Sequence, residues 1–228
     1  MASDADSLLL RHAPATVHGR YLVQPPRAGV AERWLVGFHG YGQTADTFLD
    51  PLARMAKGGA WRVVSVQALH PFYASRTNEV VANWMTRQDR ELAIADNIGY
   101  VDSVLDRLEA EFGAPRTLVF AGFSQGAAMA YRAGLLGKRA CAAIIASGGD
   151  VPPEFADKPT RPWPLVLAAT GRSDTWYTPA QLERELAAVR TRRPDASALV
   201  FDGGHEWSAA LIEAGAGVLA QLEAADTQ

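Results

Sequence analysis

The 228-residue sequence carries 22 lysines and arginines against 25 aspartates and glutamates, a formal net charge of −3 at pH 7. That length suits one domain with a real core, residues 1–228, and that charge leaves no electrostatic footprint for nucleic acid or an anionic membrane. The single cysteine, Cys141, excludes an intramolecular disulfide framework and a cysteine-based zinc site.

At the N-terminus, Asp4 and Asp6 precede only three leucines, Leu8 to Leu10, which do not make a signal peptide. No run approaches the ~18 apolar residues of a membrane span. A soluble, cytoplasmic protein without stable membrane insertion is expected. Ala15 to Val23 reads as a strand or hairpin ended by Pro25-Pro26. Trp34 to Phe38 is a buried strand running into the glycine-rich stretch His39-Gly-Tyr-Gly42. A helix follows over Thr44 to Lys57 with Gly58-Gly59 as its stop, then a strand from Arg62 to Val66.

Residues Gln67 to Arg90 break this rhythm with proline, asparagine and aromatics, and a loop of that length in a compact domain is more often functional than idle. Ile98, Val101, Leu105, Leu108 and Phe112 then mark one face of a helix that Gly113 and Pro115 end. Strands follow at Thr117–Ala121, Cys141–Ser147, Leu165–Ala169 and Ala198–Phe201. Thr178-Pro-Ala-Gln181 is a capping box that opens a helix to about Arg192, and Trp207 to Glu223 is the last helix. Strands alternating with helices indicate an α/β fold, a mostly parallel sheet covered on both faces. In such sheets the chemistry collects at the carboxyl ends of the strands.

One of those ends carries Gly122-Phe-Ser124-Gln-Gly126, a G-x-S-x-G pattern between a strand and a helix. A turn that sharp strains its central residue and brings two backbones together, so the glycines supply missing side chains and Ser124 is pushed out at the apex. A serine hydroxyl needs a base, and the base needs an orienting acid, in the chain order Ser, Asp or Glu, His for an α/β-hydrolase arrangement. The only histidine after Ser124 is His205, in Gly203-Gly-His205. Asp174, in Gly171-Arg-Ser-Asp174, is the favoured acid by strand order, with Asp150 as the serious competitor and Asp202 as a rival too close to His205 along the chain. Backbone donors for an oxyanion are expected at Gln125, directly after the serine, and in the His39–Gly42 loop at Tyr41. His39 precedes Ser124, so a role bracing that loop is expected of it.

The set FHGYGQTAD, ANWM, GFSQGAAMA, GRSD and GGHEW, spread from Phe38 to Trp207, resembles the phospholipase/carboxylesterase family of α/β-hydrolases, which includes small bacterial carboxylesterases and acyl-protein thioesterases. The resemblance implies a single-domain hydrolase without a large lid domain, acting on small-molecule esters with no cofactor. It gives Ser124 the nucleophile role, Asp174 the acid, His205 the base, and Tyr41 and Gln125 the oxyanion donors. It matches Trp84 to an aromatic bordering the acyl site.

The sequence departs from the family where proline usually stands four residues after the acid: Pro179 comes five after Asp174. The loop is reshaped, and Phe72, Tyr73, Trp84, Trp176, Tyr177 and Trp207 are candidates for a narrow pocket that favours short acyl chains. The oxyanion geometry serves thioester cleavage, acyl transfer and perhydrolysis equally well. No H-E-x-x-H or comparable cluster occurs among the five histidines, so no metal site is expected.

Overall fold

The computed structural model describes residues 8–26, 32–57, 59–155 and 161–226; Asp4, Asp6 and Gly58 lie outside them. Its centre is a seven-stranded sheet in the order β1-β3-β2-β6-β7-β8-β9. The strands are β1 (Tyr21–Gln24), β2 (Arg33–Phe38), β3 (Trp61–Val66), β6 (Thr117–Phe123), β7 (Ala143–Ser147), β8 (Leu165–Gly171) and β9 (Ser197–Phe201). Only β1 runs antiparallel, against β3, and the other neighbours are parallel. The N-terminal strand is shorter than Ala15 to Val23 suggests, because only Tyr21 to Gln24 finds a ladder on β3.

Alternation along each strand splits the core in two, as the period of two requires. Trp34, Val36 and Phe38 of β2 face one layer with Leu118 and Phe120 of β6. Leu35, Val119 and Ala121 face the other. The first layer is covered by helices α2 (Arg90–Phe112), α3 (Gln125–Leu136) and α4 (Pro179–Arg190), the second by α1 (Ala45–Met55) and α5 (Ala209–Ala225). Capping is local and readable: Thr44 and Thr178 both close capping boxes, Thr178 with Gln181 and Pro179 in the first turn.

The stretch from Gln67 to Arg90 is not a plain loop. It holds a small hairpin, β4 (His70–Tyr73) against β5 (Val80–Asn83), which forms a two-stranded sheet of its own. Gly42 N–H donates to Ala82 O and Ala82 N–H to Gln43 O, each at 3.0 Å, so the hairpin is stitched to the loop after β2. Among the described residues no helix is long and apolar enough to cross a membrane.

Candidate active site

The carboxyl ends of β2, β6, β8 and β9 carry the residues singled out in the sequence, and β6 ends in a turn with a positive φ at Ser124. Ser124 stands between the last strand residue, Phe123, and the first helical residue, Gln125, with φ 53° and ψ −118°. A side chain in that region is strained by about 1–3 kcal/mol and persists only where the surroundings over-determine it. Here they do. A Cβ on Gly122 would lie 2.1 Å from Gly126 O, and one on Gly126 would lie 2.0 Å from Phe38 O. The strand, the helix and the neighbouring strand therefore close on one another through two missing side chains, while Ser124 N–H is held by Ser147 O at 2.8 Å.

From Ser124 a continuous line of hydrogen bonds leads to a buried carboxylate. His205 Nε2 lies 2.9 Å from Ser124 Oγ, and His205 Nδ1 lies 2.8 Å from Asp174 Oδ2. Asp174 Oδ1 accepts from the N–H groups of Trp176 and Tyr177 at 2.8 and 3.0 Å. Burial pushes the Asp174 carboxyl up, but the Tyr177 N–H, His205 and the Trp176 N–H outweigh it and leave the group below the ordinary carboxylate range. An ionised Asp174 accepts the Nδ1 proton, which leaves the Nε2 lone pair facing the serine hydroxyl. His205 is also held against the Phe123 ring, with centroids 4.9 Å apart.

Neither of the two other acids forms a hydrogen bond with His205. Asp202 is exposed and pairs with Arg172 at 3.0 Å. Asp150 is exposed on the loop after β7. Asp174 instead rides on a loop sewn to its neighbour, where Arg172 N–H donates to Phe201 O at 2.8 Å and Ser173 N–H to Gly203 O at 2.9 Å.

The two N–H groups expected to face an oxyanion, those of Tyr41 and Gln125, form no hydrogen bond among the described residues. For Gln125 this is the ordinary state of a first helical residue. The loop carrying Tyr41 is pressed against the serine, since a Cβ on Gly40 would lie 3.3 Å from Ser124 Cβ. His39 braces that loop as expected. Its ring is fully buried, Nδ1 donates to Gly40 O at 2.7 Å, and Nε2 accepts from Ala68 N–H at 3.1 Å. Burial pushes the imidazole below its usual range, partly offset by the Gly40 hydrogen bond.

A cavity of about 280 Å³ opens beside Ser124, Gln125 and His205, and Trp176 and Tyr177 both line it. Trp176 is 80% exposed and Tyr177 is buried. Trp84, Phe72 and Tyr73 are not among its lining residues. The expectation that Trp84 borders the site is corrected in this arrangement: it has no exposed surface. A buried indole N–H needs an acceptor, and Trp84 Nε1 finds His39 O at 2.8 Å, so the ring lies beneath the loop instead of in the pocket wall. Phe72 and Tyr73 belong to the β4–β5 hairpin, where Phe72 packs on the Tyr41 ring at 5.3 Å and Tyr73 faces solvent. Trp207 packs on Phe48 and Phe123.

Sequence reasoning missed Met85, Arg90, Ala128 and Arg132, all of which line the cavity. The signal was present for two of them, because Ala128 and Arg132 follow Ser124 by four and eight residues and share one helix face.

A family profile described as phospholipase/carboxylesterase matches residues 22–161. The chain belongs to that family. The matched segment includes Ser124 and ends before Asp174 and His205. Among solved structures, esterase PE8 superposes with a TM-score of 0.72 at 24% identity, covering 90% of this chain and 99% of that one. A Bacillus cereus carboxylesterase does so at 0.69 and 16%, covering 89% and 94%. Zea mays acyl-protein thioesterase 2 gives 0.65 and 16%, covering 90% and 99%. At these identities the likeness carries the α/β-hydrolase fold. Comparison with curated proteins gives no match. Membership of the phospholipase/carboxylesterase family supports hydrolase activity on esters or thioesters.

Proposed function

We propose that this protein hydrolyses carboxylic esters of small molecules through an acyl intermediate on Ser124, with His205 as general base and acid and Asp174 as the group that orients and charges against it. The observation that carries this reading is the unbroken line from Asp174 Oδ2 through His205 to Ser124 Oγ, at 2.8 and 2.9 Å, on the wall of a cavity. His205 Nε2 takes the hydroxyl proton as Oγ attacks the ester carbonyl, and the imidazolium is stabilised by the ionised Asp174. The carbonyl oxygen becomes an oxyanion, and the unengaged N–H groups of Tyr41 and Gln125 are the donors assigned to it. Collapse expels the alcohol, which receives its proton from His205 Nε2. Water then attacks the acyl-serine by the same sequence, releasing the carboxylic acid and restoring Ser124.

The cavity volume of about 280 Å³ sits at the small end for ligand sites, which supports short acyl chains. In this reading the 228 residues form one domain acting on dissolved ester in the cytoplasm. A series of 4-nitrophenyl esters of increasing acyl length, followed with rapid mixing, tests the reaction and the pocket together. A burst of nitrophenol and a maximum at acetate to butyrate are expected, and a maximum at eight carbons or longer would contradict the narrow pocket. Matched oxygen esters and thioesters in the same assay separate esterase from thioesterase preference.

A further inference from the structure

Arg132 is the group in the cavity wall that the reaction as written does not use. It lies in the middle of α3, is 1% exposed, and still lines the cavity beside Ser124. A guanidinium has five N–H donors. Here Nε donates to Glu154 Oε1 at 2.7 Å, and Nη1 meets only the Met85 sulfur at 3.7 Å. Nη2 forms no hydrogen bond among the described residues. A buried charge with most of its fork unengaged is an unusual thing for a fold to keep, because such charges are ordinarily paired on every side.

A second cation faces the same space. Arg90, the first residue of α2, lines the cavity and raises the cost of charging Arg132. A helix N-terminus is an unfavourable place for a positive charge, so helix stability does not account for it. Two acids offset these cations: Glu154 pairs with Arg132 at 2.7 Å, and Asp150 is exposed on the wall, so what Arg132 offers the cavity is the unengaged Nη side of its fork.

The spacing sets what these groups can reach. Ala128 and Arg132 lie on one face of α3, one and two turns past its N-cap residue Ser124, and eight residues of helix span about 12 Å along the axis. Helical side chains lean toward the N-terminus, so the guanidinium stands over the Ala128 turn, where a methyl group leaves the floor open. In that reading the alcohol departs after the first step while the acyl part stays bonded to Ser124 through both, so a group on the acyl chain is the one the cavity wall can hold throughout. We infer that the acyl part of the substrate ends in an anionic group, a carboxylate, which Arg132 binds with Arg90 nearby, so that the preferred substrates are half-esters of short dicarboxylic acids. This rests on the acyl-Ser124 reading above.

The test compares 4-nitrophenyl half-esters of glutaric and adipic acid with 4-nitrophenyl pentanoate and hexanoate, in the wild type, in Arg132→Met and in Arg90→Gln. The wild type shows the higher kcat/KM on the half-esters. The ratio of charged to neutral substrate falls about ten- to hundredfold in Arg132→Met, chiefly through KM, and by less in Arg90→Gln. Arg90 is exposed, so its variant keeps the question open to refutation if Arg132→Met fails to fold. Titration calorimetry with free glutarate supplies a readout independent of turnover: binding to the wild type, weakened in both variants, is expected. Glutarate binding without cleavage of any ester would sink the esterase reading alone. Cleavage of neutral esters with no glutarate binding and no half-ester preference would overturn this inference alone.

Discussion

Asp174 and His205 meet at 2.8 Å across two loops that share their own backbone hydrogen bonds, Arg172 N–H to Phe201 O and Ser173 N–H to Gly203 O. The pair is therefore positioned by the sheet edge and not by the flexibility of Gly203-Gly204. A Cβ on Gly171 would lie 2.2 Å from Gly204 O, which shows how closely the two loops are packed.

Replacing Asp174 by Asn keeps the shape and removes the charge. An amide turned toward Nδ1 selects the tautomer with the proton on Nε2, which cannot accept from Ser124. kcat on an aryl ester is expected to fall about 10²- to 10⁴-fold with little change in KM. A loss below about tenfold would remove Asp174 from the mechanism.

Acid stability separates two groups by their windows. His39 is buried and its folded-state pKa is lowered, so the unfolded chain binds more protons below the unperturbed value of ~6.5. Its contribution is complete above that pH and is lost progressively as pH falls from there. The Asp174 contribution is complete above the unfolded ~3.9 and is lost only below it, because its folded pKa is also lowered. Urea denaturation from pH 8 to 3 checks this. His39→Gln should flatten the upper limb while leaving the lower one in place, and an unchanged upper limb would contradict the neutral, hydrogen-bonded His39.

Glycine substitutions test the turn at Ser124. Gly126→Ala puts its methyl against the Phe38 and His39 carbonyl oxygens, at 2.0 and 2.6 Å, and backbone on both sides has no room to yield. A loss of about 3 kcal/mol or more is expected, roughly 6–12 °C in Tm. Gly99→Ala is the control. It lies within α2, is exposed, and its added Cβ meets nothing within 4 Å, so a gain of about 0.5–1 kcal/mol is expected. Equal effects at the two positions would mean that the turn is not tightly packed.

Much of this was legible from local pattern. The strands of the parallel sheet announce themselves as apolar runs, and chain order alone leads from Ser124 to His205 and favours Asp174. Family resemblance and residue chemistry point to the same loop after β2. What local pattern did not convey is which aromatics face the cavity. Trp84 reads as a pocket residue until its N–H is traced to His39 O. Phe72 and Tyr73 lie on a hairpin whose strands are four residues each, theirs opening with His70-Pro71, too short and too proline-marked to show a period of two. Arg132 looks like an ordinary helical arginine, because its contacts, Met85 and Glu154, come from two other segments.

The most direct test of the central claim is intact-mass and peptide mapping after treatment with a fluorophosphonate, on the wild type and on Ser124→Ala. The account predicts one adduct per chain, located on Ser124, and none on the variant. Undiminished labelling of Ser124→Ala, or an adduct mapped to another residue, would contradict it.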